Sequence, residues 1–543
     1  MDGHSQKYDR QLRLWQAHGQ SILQKSHICL LNGSAVGAET LKNLILPGVG
    51  SFTVVDQGLV TGEQAGRNFF LDTVSIGKSR SESLVYFLGE LNDDVIGKAV
   101  VRCPSEIISS SPEFFNQFSL VIATEICEKD MRKLSEICWS RSIALIIIKS
   151  HGFFGYCRLV KPEHTIIERH DAPGSDFRFD CPFPALVSHV NDINIDTMDS
   201  MGASHVPYVA LILKALLNWK SKNDGALPSN SLEKAAFRHE ITLLKHPSAM
   251  DDENIVEALS MAYKAYSETK IPSEVVAILG DPKTTNLSAT SSDFWLLVAA
   301  LKRFTELEGN GLLPVSGVVP DMKADTDSFI KLQRIYRTKA HEDRVCIRRH
   351  LDTLLNSVGR DLSSINDDQV EIFSKNASTL RLIRFRSIES EYANSLAGIH
   401  SASLILISSF CDTLLTHLCL TPGTYVDDEN IAYYWLLRAV DRFRDVYERY
   451  PGSCIQDIDT DTQSLGVLVS QLHQENNVSG VTINLDQTSE IVRAGGCELH
   501  NIASIIGGIA SQEAIKLLTG QYTPVDNTVI FNGIRSAFSV FKL

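Results

Sequence analysis

Residues 29–44, "CLLNGSAVGAETLKNL" (Cys29–Leu44), decide the fold. An apolar run enters a bend of small residues, and helix-forming residues follow. Strand, tight turn, helix is how a nucleotide-binding α/β unit begins. In a working turn of this kind two glycines let the backbone bend and approach the phosphates. A third lets the helix pack closely on the strand. Aligned on Gly37, the three places hold Asn32, Ser34 and Gly37. The packing glycine is kept and the two phosphate glycines are not. Asn tolerates a left-handed backbone, so the turn is expected to form. A side chain at Ser34 is expected to crowd a phosphate, which points to a kept fold with lost or weakened nucleotide binding.

Outward from that turn, the first 160 residues alternate. Apolar runs "SHICLLNG", "SFTVVDQ", "KAVVRCP", "LVIATE" and "ALIIIKSHG" read as buried strands, with helical stretches "AETLKNLIL", "SRSESLVYFLGEL" and "KDMRKLSEICWSR" between them. That alternation predicts a parallel sheet covered on both faces. "FGYCRLVKP" (Phe154–Pro162) reads as a further strand able to pair antiparallel. From about Asp171, the connector "DAPGSDFRFDCPFPAL" leads into roughly 300 residues of helical periodicity. At the far end "CELHNIASIIGGIASQEAIKLLTG" is a helix with a small-residue stripe at Ala503, Gly507, Gly508 and Ala510, and Gly520 is a C-cap. "TVIFNG" and "AFSVFKL" predict a closing hairpin. The expected layout is one α/β domain built from both chain ends, residues 1–168 and 485–543, with a helical domain inserted at 169–484.

Bulk properties exclude several classes. The formal charge of −14 argues against sequence-independent nucleic-acid binding, which needs a basic face. The start, "MDGHSQKYDRQLRLWQ", lacks the apolar core of a secretory leader. Apolar stretches such as "PYVALILKALLNW" fall short of the roughly 18–20 residues that span a bilayer. Eleven scattered cysteines, an odd number, fit a reducing compartment better than a disulfide framework. A soluble intracellular protein is expected, with no nucleic-acid or membrane partner. There is no CxxC, and Cys497 with His500 in "CELH" lacks a second ligand pair, so no metal is expected.

Three features bear on chemistry. Asp56 ends the second strand about 20 residues past the turn, where such folds place an acid on the ribose hydroxyls; an acid capping a local turn would stand there equally well. "YDRQLRLWQ" puts Tyr8, Arg10 and Arg13 ahead of the first strand. Arginine suits bidentate phosphate contact, and one near a chain start can reach a site its own domain does not form; a solvated basic helix is the plain alternative. Among the cysteines, Cys29 and Cys157 sit in apolar strands, Cys411 and Cys419 on helical faces, and Cys181 in the connector is the only one in a plausible loop for a nucleophile.

"YDRQLRLW", the altered turn, "VVDQGLVTGEQAGRNFF", "SIGKSRSE" and "IIGGIASQEAIKLLTG" together resemble the adenylation fold of ubiquitin-like-modifier activating enzymes. "DCPFPAL", "LPVSGVVPDMKADTDSFIKLQRIYRTKA" (Leu313–Ala340) and "WLLRAVDRFRDVYERYPG" (Trp435–Gly452) narrow this to the regulatory-subunit family of the neddylation (Rub-type) enzymes. The resemblance covers nearly the whole chain. It implies an α/β fold: a Rossmann-like adenylation (ThiF-type) domain formed from both chain ends and interrupted by a large, mainly helical domain without a catalytic cysteine. It also implies an obligate heterodimer whose catalytic subunit binds ATP and magnesium, adenylates the modifier's C-terminal glycine, and takes it up as a thioester. This chain then binds no cofactor, is not active alone, and works in cytoplasm and nucleus.

The residues agree in part with that implication. Where active relatives carry a phosphate lysine, "GKSRSE" puts Arg80. Their magnesium aspartate falls near Ile126, with Glu125 beside it. Arg67 in "AGRNFF" keeps an ATP-contacting arginine, a departure toward activity, and Gln16 stands where relatives have glycine. Asn32, Ser34, Gly37, Asp56, Arg67 and Arg80 are thus the remnants of the chain's own site. Arg10 matches the arginine extended into the partner's ATP site. The resemblance moves Asp321, Met322, Asp325, Phe329, Lys331, Leu332, Arg334, Tyr336 and Arg337, with Tyr208, toward the heterodimer interface; from sequence alone a helix packed within its own domain is the other reading. A self-sufficient adenylyltransferase or dehydrogenase with an unusual turn, and a pure scaffold, are the alternatives.

Overall fold

The structure, a computed structural model, describes residues 6–168, 176–247, 252–393, 430–476, 478 and 481–543. It divides into two compact units, one of residues 1–164 and 382–543, the other of residues 165–381.

The first unit starts with helix α1 (Asp9–Lys25), which bends at Gln16. Strand β1 (His27–Leu31) leads through the turn into α2 (Ala35–Ile45), followed by β2 (Ser51–Val55), the short helix α3 (Gly62–Arg67) and α4 (Arg80–Gly89). After β3 (Ile96–Val100) and β4 (Leu120–Ala123) come α5 (Glu128–Ser140), β5 (Ala144–His151) and β6 (Phe154–Val160). The five strands β1–β5 are parallel in the order 3-2-1-4-5, and β6 turns back antiparallel on β5.

The second unit has its own core. Its helices include α6 (Tyr208–Lys222), α7 (Asp293–Glu306) and the 33-residue α8 (Thr326–Val358). Asp325 caps α8 by accepting from the Ser328 N–H at 2.8 Å, and Gly359 ends it in the left-handed region at φ 73°. Phe177, Leu186, Leu213, Leu216, Phe237, Leu332 and Tyr336 are among the buried residues that hold the unit together.

Back in the first unit, α9 (Asn430–Tyr447), α10 (Leu485–Arg493) and α11 (His500–Thr519) precede the hairpin β7 (Thr528–Asn532) and β8 (Ala537–Phe541). β7 pairs antiparallel with β6, completing an eight-stranded sheet. Alternate strand residues supply two cores, as period-2 geometry requires. Ile28, Leu30, Ile122 and Ile146 face Leu41 and Leu44 of α2 and Ile502, Ile506 and Ala510 of α11. Cys29, Leu31, Val121 and Leu145 face Leu134 of α5 and Trp435, Leu436 and Phe443 of α9.

The expected inserted domain at 169–484 is therefore too long. The described residues from 382 onward belong with the sheet. The cause is α9: Tyr433 stacks on Phe154 of β6 with ring centroids 4.0 Å apart, and Trp435 is fully buried on the sheet face. Helical periodicity announces a buried face without saying what buries it.

Candidate functional site

Strand order places the topological switch point between β1 and β4, where the loops following the two strands part and a crevice opens. A cleft lies there, about 440 Å³ with its open solvent, lined by residues that include Ser34, Thr124, Glu125, Lys149, Ser150, Asp441, Arg444 and Glu498. All of these belong to the first unit.

The turn after β1 forms as its sequence implies. Asn32 takes φ 63° and its side-chain amide donates to the Thr124 carbonyl at 2.8 Å and the Glu125 carbonyl at 3.3 Å. Ser34 caps α2, its Oγ accepting from the Gly37 N–H at 3.1 Å. A Cβ on Gly37 would lie 2.8 Å from Leu30 Cδ1, so this glycine serves helix–strand packing as expected. The expected crowding at Ser34 takes another form, since that side chain is buried as a cap.

Asp56 is buried and fully engaged. Its Oδ2 accepts from the Gly33 N–H at 2.7 Å and from Arg80 Nε at 2.5 Å, and its Oδ1 accepts from the Gly58 N–H at 2.7 Å. The local-turn reading of this acid is the one the geometry supports. Arg80 Nη2 also lies 3.9 Å from the Glu125 carboxylate. Arg67 Nη1 donates to Glu63 at 2.9 Å and reaches the Gly496 carbonyl at 3.4 Å. Ile126 stands beside Glu125 in the cleft wall, so the carboxylate nearest the expected magnesium position is the one beside Arg80. Among the described residues no group of three or more His, Cys, Asp and Glu could hold a metal ion.

One residue of the cleft escaped sequence reading. Glu498 is buried, and its carboxylate accepts from the N–H groups of Ala35 at 2.7 Å and Val36 at 3.1 Å, the first residues of α2. Burial, and then the neighbouring Glu125 charge, push its carboxyl up to about 7, against the pull of those two N–H groups and of Arg67. The loop before it is fixed. Gly495 and Gly496 both take positive φ, at 56° and 80°, the Cys497 N–H donates to the Ala494 carbonyl at 2.8 Å, and the Cys497 carbonyl accepts from Gly152 at 2.8 Å. The glycine pair was the available signal, because consecutive glycines mark a backbone that needs left-handed angles. Glu498 stands between Cys497 and His500 in "CELH". His500 Nε2 instead meets the Gly66 carbonyl at 3.2 Å.

The opening helix is anchored. Tyr8 is buried and its hydroxyl donates to Asp94 at 2.9 Å; Trp15 Nε1 donates to Gln20 at 2.9 Å, and the Trp15 carbonyl accepts from Gln521 at 3.0 Å. Between these anchors the Arg10 side chain is 85% exposed, 3.9 Å from Asp9, whose carboxylate is held closer by Arg13 at 2.9 Å.

Of the cysteines singled out in the sequence, the three described have their thiols raised. Burial raises Cys29 and Cys157 well above the thiol range. Cys181 is exposed, but partial desolvation and then the Asp180 charge raise it too, opposite to the direction a nucleophile needs. Cys411 and Cys419 lie outside the described residues.

The residues expected at a partner interface separate into two groups. Leu332, Tyr336, Tyr208 and Met322 are buried within the second unit's own core, with Phe329 packed against it. The Tyr336 hydroxyl donates to the Phe177 carbonyl at 2.8 Å. This apolar face is spent inside its unit, as an amphipathic helix ordinarily spends it, which corrects the expectation for those residues. Asp325 is the cap of α8, while Asp321, Lys331, Arg334 and Arg337 are exposed. Among the described residues no helix is long and apolar enough to cross a membrane.

Comparison with known proteins agrees with this architecture. The ThiF family model matches residues 8–543. The chain is 41% identical to the NEDD8-activating enzyme E1 regulatory subunit of Xenopus laevis, with 99% of this chain and 98% of that one covered. It is 38% identical to that of Danio rerio over the same shares, and 36% identical to that of Drosophila melanogaster over 99% and 97%. An adenylation-type sheet, a glycine turn altered at the phosphate positions and full-length similarity to these relatives lead to one conclusion: the chain belongs to the ThiF family, among the NEDD8-activating enzyme E1 regulatory subunits.

Proposed function

We propose that this chain is the non-catalytic half of a heterodimeric activating enzyme for the ubiquitin-like modifier NEDD8. On this reading the catalytic subunit binds ATP and magnesium, joins AMP to the C-terminal glycine of the modifier and then holds the modifier as a thioester on its own cysteine. This chain binds no cofactor. It contributes Arg10, in trans, to the partner's ATP site, and Asp321, Lys331, Arg334 and Arg337 are the surface residues of α8 and its approach offered to the partner. Its place of work is the cytoplasm and nucleus.

The observation that carries the reading is Arg10. A guanidinium held at the start of an anchored helix, with its nearest acid taken up by Arg13, is available to phosphate oxygens of another chain. A fixed cation there stabilises charge that shifts as pyrophosphate leaves. The test is Arg10→Ala in the reconstituted heterodimer. Adenylate formation should fall roughly tenfold or more while the two subunits still co-elute. Unchanged adenylation would leave only a scaffold role, and thioester formation by the lone chain would sink the assignment altogether. A self-sufficient nucleotide enzyme is disfavoured by Asp56, Arg80 and Glu498, which spend on one another and on the turn the groups such an enzyme would use.

A further inference from the structure

The first turn of a helix presents N–H groups that need partners, and in nucleotide-binding folds phosphate supplies them. In α2 they are already taken. Ser34 Oγ takes the Gly37 N–H, and the Glu498 carboxylate takes those of Ala35 and Val36, one to each oxygen. The ribose acid is likewise occupied, by Gly33, Gly58 and Arg80. A nucleotide therefore does not fit this cleft as it stands. The lost glycines do not account for that: Asn32 adopts the left-handed backbone a glycine would, and Ser34 turns its hydroxyl into the cap.

We infer that Glu498 is the residue that closes this cleft, a carboxylate built into the chain as a permanent substitute for phosphate at the N-terminus of α2. The inference rests on the reading of the cleft as a retired nucleotide site. Glu498 is held in place, since its loop passes through two left-handed glycines and its own backbone bridges Gly152 at the end of β5. It comes from 463 residues further along the chain than Ala35, so the closing segment itself delivers the plug. Around it the carboxylates of Glu125, Asp56 and Asp441 face the cations of Arg67, Arg80, Lys149 and Arg444. Without Glu498 the N–H donors of Ala35 and Val36 lose their acceptor, in a wall that carries four cations. The Ser150 hydroxyl, buried in the same cleft wall with no hydrogen-bond partner, adds a further polar group. Emptying the Glu498 position should thus create an anion site where the wild-type protein has none.

The test uses inorganic pyrophosphate and the full chain, by titration calorimetry. The wild type and Ser34→Gly should give no saturable heat, whereas Glu498→Ala should bind one pyrophosphate at least tenfold more tightly than either, in the millimolar range or better. Should near-ultraviolet circular dichroism show Glu498→Ala to be misfolded, Glu498→Ser vacates the same space, leaves a hydroxyl for the helix, and carries the same expectation. A folded Glu498 variant that stays silent overturns the inference. So does pyrophosphate binding by Ser34→Gly with Glu498 in place, or by the wild type. The Arg10 proposal is read through adenylate made with the partner, so either can fail alone.

Discussion

At the scale of single residues, the first unit carries two unusual side chains whose environment has measurable consequences. Gln16 adopts φ 57° and ψ −178° at the bend of α1, a combination almost reserved for glycine. Replacing it with glycine relieves that strain, which outweighs the extra freedom glycine gives the unfolded chain. Gln16→Gly should stabilise the first unit by about 1 kcal/mol, seen as a higher urea midpoint; an unchanged or lower midpoint would show that the bend is unstrained. Glu498 sets a pH dependence. Its carboxyl is raised from 4.5 to about 7 on folding, so folding takes up a proton. The stability tied to that proton is complete below about 4.5 and is lost as pH rises to about 7. Relative to Glu498→Gln, which does not titrate, the wild type should lose stability steadily across that window. Urea midpoints taken at half-unit steps of pH would show it, and parallel curves for the two proteins would refute it.

Among the elements, α8 shows how far a pattern can be trusted. Its apolar spacing gave the helix correctly, and Asp325 and Gly359 mark its ends in the sequence as they do in space. What faced Phe329, Leu332 and Tyr336 was not legible, because a helix that packs inward and one that packs on a partner have the same periodicity. The strands of the sheet were easier to read. Their apolar runs are bounded by Gly, Pro and Ser, and a run buried on both faces has few other uses. The cleft was harder, since Glu498 and Ala35 meet only through tertiary folding, and no local pattern joins residues so far apart. Two expectations follow. Tyr336→Ala should cost the second unit about 3–5 kcal/mol, whereas Arg334→Ala should stay within about 0.5 kcal/mol while weakening subunit association. Urea unfolding and a binding titration separate these effects. Gly37→Ala pushes a methyl into Leu30, and should cost about 1–3 kcal/mol by forcing α2 off β1; an unaltered urea midpoint would mean that Leu30 gives way freely.

For the whole molecule, the sheet depends on a hairpin far along the chain from its first strands. β7 covers the edge of β6, register by register from Phe154 opposite Asn532 to Arg158 opposite Thr528, and β8 in turn pairs with β7. Asn527 binds the final stretch as well, its side chain meeting both the N–H and the carbonyl of Leu543. A chain ending at residue 525 would leave β6 as a bare, apolar edge, the arrangement that invites strand pairing between molecules. It should elute as aggregate in size-exclusion chromatography, and a monomeric profile would show that the hairpin is dispensable. The same dependence sets a clock on biosynthesis. Until β7 and β8 have left the ribosome, the central sheet cannot be sealed, however long ago its first five strands were translated. The nascent polypeptide therefore waits through the synthesis of more than 300 further residues with its framework incomplete, and chaperone occupancy during translation should persist until the hairpin has emerged.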